Sequence, residues 1–236
     1  MIKIGKIFKE HEILLTGGNG FLGKVVLGLL LDRFPEIKHL HILLRPQHSL
    51  SSQERFTREI LNSPALAPVI EKHGKNWIHK KITVWSGDIS KPQCNLGPKF
   101  LEQPIGRVGL IVNCAGKVDF FPPIDESFNS NVYGINHVAE IAKQIGAKLL
   151  HVSTCYVCGE SNGLIEETNP ILGFYPRRID PREETFSHTS EIKVCRNLVQ
   201  QIYESAGLGS TTSGEIRPRE ITQRLSDLGR KRAERW

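Results

Sequence analysis

Residues 16–23 read Thr16-Gly17-Gly18-Asn19-Gly20-Phe21-Leu22-Gly23. Gly17, Gly20 and Gly23 have the spacing G-x-x-G-x-x-G, which suits a dinucleotide pyrophosphate. Gly17 permits a tight turn. Gly20 lets the pyrophosphate approach the backbone, and Gly23 lets a helix pack close to a strand. The anion then rests on the helix N-terminus, among unpaired N–H groups and the positive end of the dipole. An ordinary strand–helix turn can use the same glycines, so the flanks decide. Ile13-Leu14-Leu15 is a short apolar strand before the turn, and Phe21 to Phe34 reads as a helix after it, stopped by Pro35.

The end of the second strand selects among dinucleotides. An NAD site places Asp or Glu there, about 20 residues on, to bind the ribose 2′-OH. Here the segment reads Leu43-Leu44-Arg45-Pro46, with arginine where the carboxylate is expected. A guanidinium grips a 2′-phosphate with charge-assisted hydrogen bonds. The expected cofactor is therefore NADP(H), unless Arg45 only decorates the surface at a strand end. Gly87-Asp88 ends the third strand. In such folds a carboxylate there lies beside the adenine and accepts from its exocyclic amine, although turns also favour aspartate. Ser153-Thr154 follows the fifth strand, where hydroxyls also serve simply to satisfy the last backbone groups.

The elements that must position these residues alternate strand and helix. Further strands are expected at Leu40–Leu44, Ile82–Trp85, Val108–Val112 and Lys148–Val152. In the first long helix Leu22, Val25, Val26, Leu29 and Leu30 form one broad apolar face. Ser51 and Glu54 have capping-box spacing and open a helix through Ile60. Ile135, Val138, Ile141, Ala142 and Ile145 recur at helical spacing, as do Ile192, Cys195, Val199 and Ile202, and then Ile221, Leu225 and Leu228. Such alternation requires crossovers and a doubly wound parallel α/β sheet of Rossmann type, with ligands at the carboxyl ends of its strands. Composition shifts after about Gly159. Two regions follow: a cofactor-binding domain over 8–170, and a helical, charged insertion or cap over 171–236.

Composition narrows the class. The 236 residues are 39 % hydrophobic and 24 % charged, which fits a folded globular chain and excludes wholesale disorder. The net charge of +6 is too diffuse for a nucleic-acid partner and suits an anionic cofactor or acidic carrier. No apolar run approaches the ~18 residues that cross a bilayer. Met1 to Glu12 hold no apolar signal core, and five irregularly spaced cysteines suit free thiols, so a cytoplasmic chain is expected. Cys155-Tyr-Val-Cys158 lacks the second pair that zinc needs, and the nine histidines show no metalloprotease spacing. No metal is expected. Arg230-Lys231-Arg232 reads as a solvated face.

These motifs, in this order, resemble an extended short-chain dehydrogenase/reductase. More narrowly, they resemble the NADPH-binding domain of the fatty acyl-CoA reductases, the male-sterility or thioester-reductase group. Thr16 to Lys24, Leu43-Leu44-Arg45-Pro46, Asn113 to Phe120, Asn131-Val132, Val152-Ser153-Thr154-Cys155-Tyr156-Val157 and Ile165-Glu166-Glu167 carry the likeness, over roughly residues 8–170. The resemblance implies hydride transfer from NADPH to a fatty acyl thioester carried on coenzyme A or an acyl carrier protein, giving aldehyde or alcohol. It implies that Thr154 hydrogen-bonds the substrate carbonyl. Asn113, Cys114, Ala115, Gly116 and Val118 line the nicotinamide-ribose side, with Ser153 beside them. Asp88-Ile89 lie on the adenine side, and Asn131 holds the helix that supports the site.

The family's proton donor is a tyrosine with lysine four positions later. After Tyr133, Tyr156, Tyr175 and Tyr203 the fourth residue is His137, Glu160, Ile179 and Gly207, so no such pair is present. The favoured expectation is an N-terminal portion of a longer reductase, cut short of its C-terminal strands. The alternatives are a nucleotide-sugar epimerase or reductase, and a non-catalytic NADP(H)-sensing module.

Overall fold

The computed structural model describes residues 4–102, 107–154, 163–164, 187–208 and 217–235. Contacts divide the chain into two units. Met1–Lys117 with Phe128–Val152 form one, and Val118–Ser127 with Ser153–Trp236 form the other.

The first unit holds α1 (Ile4–Glu10), β1 (Glu12–Thr16), α2 (Phe21–Arg33), β2 (Leu40–Leu44), α3 (Ser52–Arg55), α4 (Ala67–His73), α5 (Lys75–Lys81), β3 (Ile82–Ser86), α6 (Pro98–Glu102) and β4 (Val108–Asn113). The second holds α7 (Ile124–Ser127); the chain then returns to the first through α8 (Gly134–Ile145) and β5 (Lys148–His151). All pairings in the sheet are parallel, in the order β3-β2-β1-β4-β5. The chain winds outward from β1 to β3, then crosses back to β4. The reversal between β1 and β4 is where such sheets open a ligand crevice. This is the doubly wound α/β architecture expected from the alternation.

Because both faces are covered, the central strands are apolar without alternation. Ile13, Leu15, Ile42 and Leu44 pack on one side with Leu27, Leu31, Phe56 and Ile60. Leu14, Leu43, Val108 and Ile111 pack on the other with Phe100, Val138, Ile141 and Ile145. Of the residues spaced to face the core in α8, Val138, Ile141, Ala142 and Ile145 are buried and Ile135 is half-buried.

The expected face of α2 is a correction. Leu22 and Leu29 are exposed, while Gly23, Leu27, Gly28 and Leu31 are buried. An almost wholly apolar helix has no preferred face of its own. Close approach decides instead: a Cβ on Gly28 would stand 2.5 Å from the Ala65 carbonyl oxygen. The capping box at Ser51–Glu54 is present in both halves. The helix it opens winds as α only to Arg55 and continues as π-helix over Phe56–Leu61. Helix α1 lies where the sequence showed no helical pattern.

A polar cluster centred on the buried Glu12 and His41 sits on the sheet. The Trp85 indole N–H donates to His41 Nδ1 at 2.9 Å, so His41 carries its proton on Nε2 and donates it to Glu12 at 2.8 Å. Arg107 also donates to Glu12, at 2.6 and 3.0 Å, and His39 meets Thr83 at 2.8 Å. Burial pushes both histidines below their usual 6.5; Glu12 opposes this more weakly, while Arg107 and, for His39, the charges of His41 and Lys81 add to it. Burial would raise the Glu12 carboxyl, but the hydrogen bonds from His41 and Arg107 outweigh it and hold it low. All three groups bind protons more readily unfolded, so acid costs stability. The urea midpoint is expected to fall between pH 7.5 and 5.5, and to fall less in His41→Gln. A midpoint that is level or rises with acid would contradict this.

In the second unit α9 (His188–Ser205) and α10 (Arg219–Arg235) bury Cys195, Tyr203, Ile221 and Leu225. Arg217 donates to Asp125 at 2.8 Å and to Glu126 at 2.6 Å, and Tyr203 donates to Asp125 at 2.9 Å. Arg230 and Lys231 are exposed, as the solvated-face reading expects. Arg232 is not part of that face: its guanidinium pairs with Glu191 of α9, Nε at 2.7 Å.

Candidate functional site

A cleft of about 300 Å³ opens at the carboxyl ends of β1, β2, β3 and β4. Thr16, Gly17, Asn19 and Gly20 form one wall, Arg45 and Arg55 another, Gly87, Asp88 and Ile89 a third, and Cys114, Ala115, Gly116 and Ser130 the last.

The glycine turn works by close approach. Gly17 has φ +70, and a Cβ there would stand 2.5 Å from the Ala115 nitrogen. The turn after β1 thus lies against the chain leaving β4, where the Cys114 N–H donates to the Thr16 carbonyl at 3.1 Å. A Cβ on Gly23 would stand 2.1 Å from the Gly17 carbonyl oxygen. Helix α2 therefore starts tight against the turn. Its N-cap is Gly20, which gives no side-chain cap, so the first-turn N–H groups are left for an anion.

Arg45 and Asp88 face each other, Nη1 to Oδ2 at 3.6 Å, with the arginine side chain 61 % exposed. Asp88 Oδ1 also accepts from the Ser90 N–H at 2.9 Å. Arg55 is the residue that sequence reading missed. Its side chain is only 7 % exposed. Nε and Nη2 donate to Glu59 at 2.7 and 2.9 Å, and Nη1 donates to the Arg45 carbonyl at 2.5 Å. Asn19 on the glycine turn donates to the same Glu59 carboxylate at 3.1 Å. The i,i+4 pair Arg55–Glu59 was visible in the sequence; its aim into the cleft was not, because that depends on how α3 leaves β2. There Ser52 Oγ donates to the Leu44 carbonyl at 2.6 Å.

Other expected site residues lie elsewhere. Asn113 is buried and does not line the cleft: its amide bonds Thr16 Oγ1 and, at 2.9 Å, His151 Nδ1, tying together the ends of β1, β4 and β5. Gly18 is buried under the turn against Ile42 and Leu15. Phe21 and Leu22 are exposed on the first turn of α2. Asn131, in the helical turn Phe128–Tyr133, holds the chain after β4, accepting from the Lys117 N–H at 2.7 Å and donating to its carbonyl at 2.9 Å. Val118, Ser153 and Thr154 fall in the second unit and are exposed. Burial raises the Cys114 thiol, which argues against a thiolate nucleophile in the cleft wall. Cys155–Cys158 and Ile165–Glu167 lie outside the described residues. Among the described residues no cluster of His, Cys, Asp and Glu could hold a metal.

One further pair has the family's spacing without its tyrosine. Lys193 is the only lysine in the chain with a hydroxyl residue four positions before it, Thr189. Both lie at the start of α9, one turn apart on one face.

Fold and cleft define a dinucleotide-binding domain of the doubly wound class. Comparison with known proteins then narrows it. The NAD-binding family described as "Male sterility protein" matches residues 15–205. The alcohol-forming fatty acyl-CoA reductase of Simmondsia chinensis is 29 % identical over 246 aligned positions, covering 100 % of this chain and 47 % of that protein. Fatty acyl-CoA reductase 1 of Gallus gallus is 28 % identical, covering 78 % of this chain and 34 % of that one. The crystal structure of a nonribosomal peptide synthetase reductase domain from Mycobacterium tuberculosis superposes with a TM-score of 0.52 at 27 % identity, over 64 % of this chain and 34 % of that chain. An archaeal thiolation-reductase di-domain shares the fold, with a TM-score of 0.54 at 22 % identity over 72 % of this chain and 44 % of that chain. The chain belongs to the male sterility protein family and covers its NAD-binding part. It spans between a third and a half of the length of these curated relatives.

Proposed function

We propose that this chain is the NADPH-binding part of a reductase acting on fatty acyl thioesters, carried on coenzyme A or an acyl carrier protein. The family match over residues 15–205 carries the reading. The preference for NADPH over NADH rests on the cleft. No carboxylate ends β2; Arg45 stands there, with the Arg55 guanidinium fixed against its carbonyl. The glycine turn and the uncapped start of α2 suit the pyrophosphate, and Asp88-Ile89 suit the adenine side.

Bound NADPH supplies a hydride. The chain's own contribution would be to orient the thioester and to donate a hydrogen bond from Thr154 to the carbonyl oxygen as it gains charge. The family's lysine stands four positions after its tyrosine, and Lys193 stands four positions after Thr189. Thr189 then stands where the family has tyrosine. An aliphatic hydroxyl is a far poorer acid than a phenol near neutral pH. That departure favours, as a second reading, a module that binds NADP(H) without reducing anything. Buried free thiols at Cys94 and Cys195 suit a reducing, cytoplasmic setting. Among the described residues no helix is long and apolar enough to cross a membrane.

The test is NADPH oxidation by the full polypeptide carrying this segment, with and without a long-chain acyl-CoA. Acyl-CoA-dependent oxidation is expected, slowed roughly 100-fold by Thr154→Ala. It should be faster in Thr189→Tyr. Tight NADPH binding with no acyl-CoA response, in the natural chain and in Thr189→Tyr alike, would overturn the reductase reading and leave the binding module.

A further inference from the structure

Both guanidiniums of the cleft face a carboxylate, but the two pairs differ in kind. Arg55 is buried and held by Glu59 through two donors at 2.7 and 2.9 Å. Arg45 is mostly exposed and meets Asp88 through one nitrogen at 3.6 Å. The first pair is costly to break; the second, long and solvated, is weak. Arg45 is therefore the cation that can move to an incoming anion, and Asp88 is the partner it must leave.

We propose that Asp88 is a specificity-determining residue that restrains the preference for NADPH by competing with the 2′-phosphate for Arg45. This rests on the NADP(H) reading of the cleft. The chemistry separates the two cofactors. NADH carries a 2′-OH and does not draw on Arg45, so the Arg45–Asp88 pair persists under it. A 2′-phosphate draws the guanidinium away and leaves the Asp88 charge close to its own, and like charges repel. Any contact between Asp88 and adenine is common to both cofactors and cancels in their ratio.

The probes are 2′,5′-ADP and 5′-AMP, which carry the adenosine end alone, titrated against the full chain by calorimetry. In Asp88→Asn the preference for 2′,5′-ADP over 5′-AMP is expected to rise about three- to tenfold, which is roughly 0.65–1.4 kcal/mol at 1.36 kcal/mol per tenfold. Asparagine keeps the side-chain oxygen that accepts from the Ser90 N–H, so the turn after β3 is retained. Asp88→Ser, which removes the same charge by another route, is expected to raise the ratio likewise. A ratio that is unchanged or falls in the folded variants would overturn the proposal; a fall would make Asp88 a residue that aims Arg45 at the phosphate. If the natural chain itself shows no preference for 2′,5′-ADP, the NADP(H) reading fails first, and the two failures are thereby distinct.

Discussion

Gly23→Ala is expected to cost about 3 kcal/mol or more and to abolish dinucleotide binding. The new methyl carbon would stand 2.1 Å from the Gly17 carbonyl oxygen and 2.8 Å from Gly18 Cα. These are backbone atoms, so no side chain can swing aside. Either α2 lifts off the turn or the turn deforms, and both moves displace the N–H groups at the start of α2. For a chain of this size the melting temperature should drop by roughly 6–12 °C. Gly97→Ala is the control, because a Cβ there meets nothing within 4 Å. A Gly23→Ala chain that melts like Gly97→Ala and still binds dinucleotide would refute the close-packing account of this motif.

Arg45→Ala is expected to weaken NADPH binding roughly 10- to 100-fold, the range of a charge-assisted contact worth about 1.5–3 kcal/mol. NADH binding should change by less than about twofold. Solvent screens this exposed side chain, so the lower end of that range applies near physiological salt, and the effect should shrink as salt rises. Parallel titrations of both cofactors at two salt concentrations measure it. An unchanged NADPH/NADH ratio would remove Arg45 from the 2′-phosphate site. Arg55→Ala would compound two losses, since Arg55 also braces the Arg45 carbonyl and shares Glu59 with Asn19.

Much of this site is legible in the sequence because its determinants are local. Gly17, Gly20 and Gly23 sit between a short apolar run and a long one. Arg45 directly follows β2, and Asp88 follows β3 after the single residue Gly87. What escaped depends on tertiary geometry. Helix α2 is apolar on all sides, so its buried face is set by what Gly23 and Gly28 touch. Arg55 reads as half of an ordinary helix ion pair until α3 turns it into the cleft. Asn113 reads as a pocket residue, but its amide is consumed in joining three strand ends. Thr189 and Lys193 keep the family's four-residue spacing without its tyrosine, so the pair does not announce itself in the sequence. Helix α1 has too few periodic apolar residues to announce itself, and packing of Phe8 against Phe34 accounts for its burial.

The most direct measurement is a calorimetric titration of this chain with NADPH and, separately, with NADH at one ionic strength. NADPH is expected to bind at least about tenfold more tightly, as one added charge-assisted contact requires. Equal affinities, tighter binding of NADH, or no binding of either would contradict the assignment of the cleft.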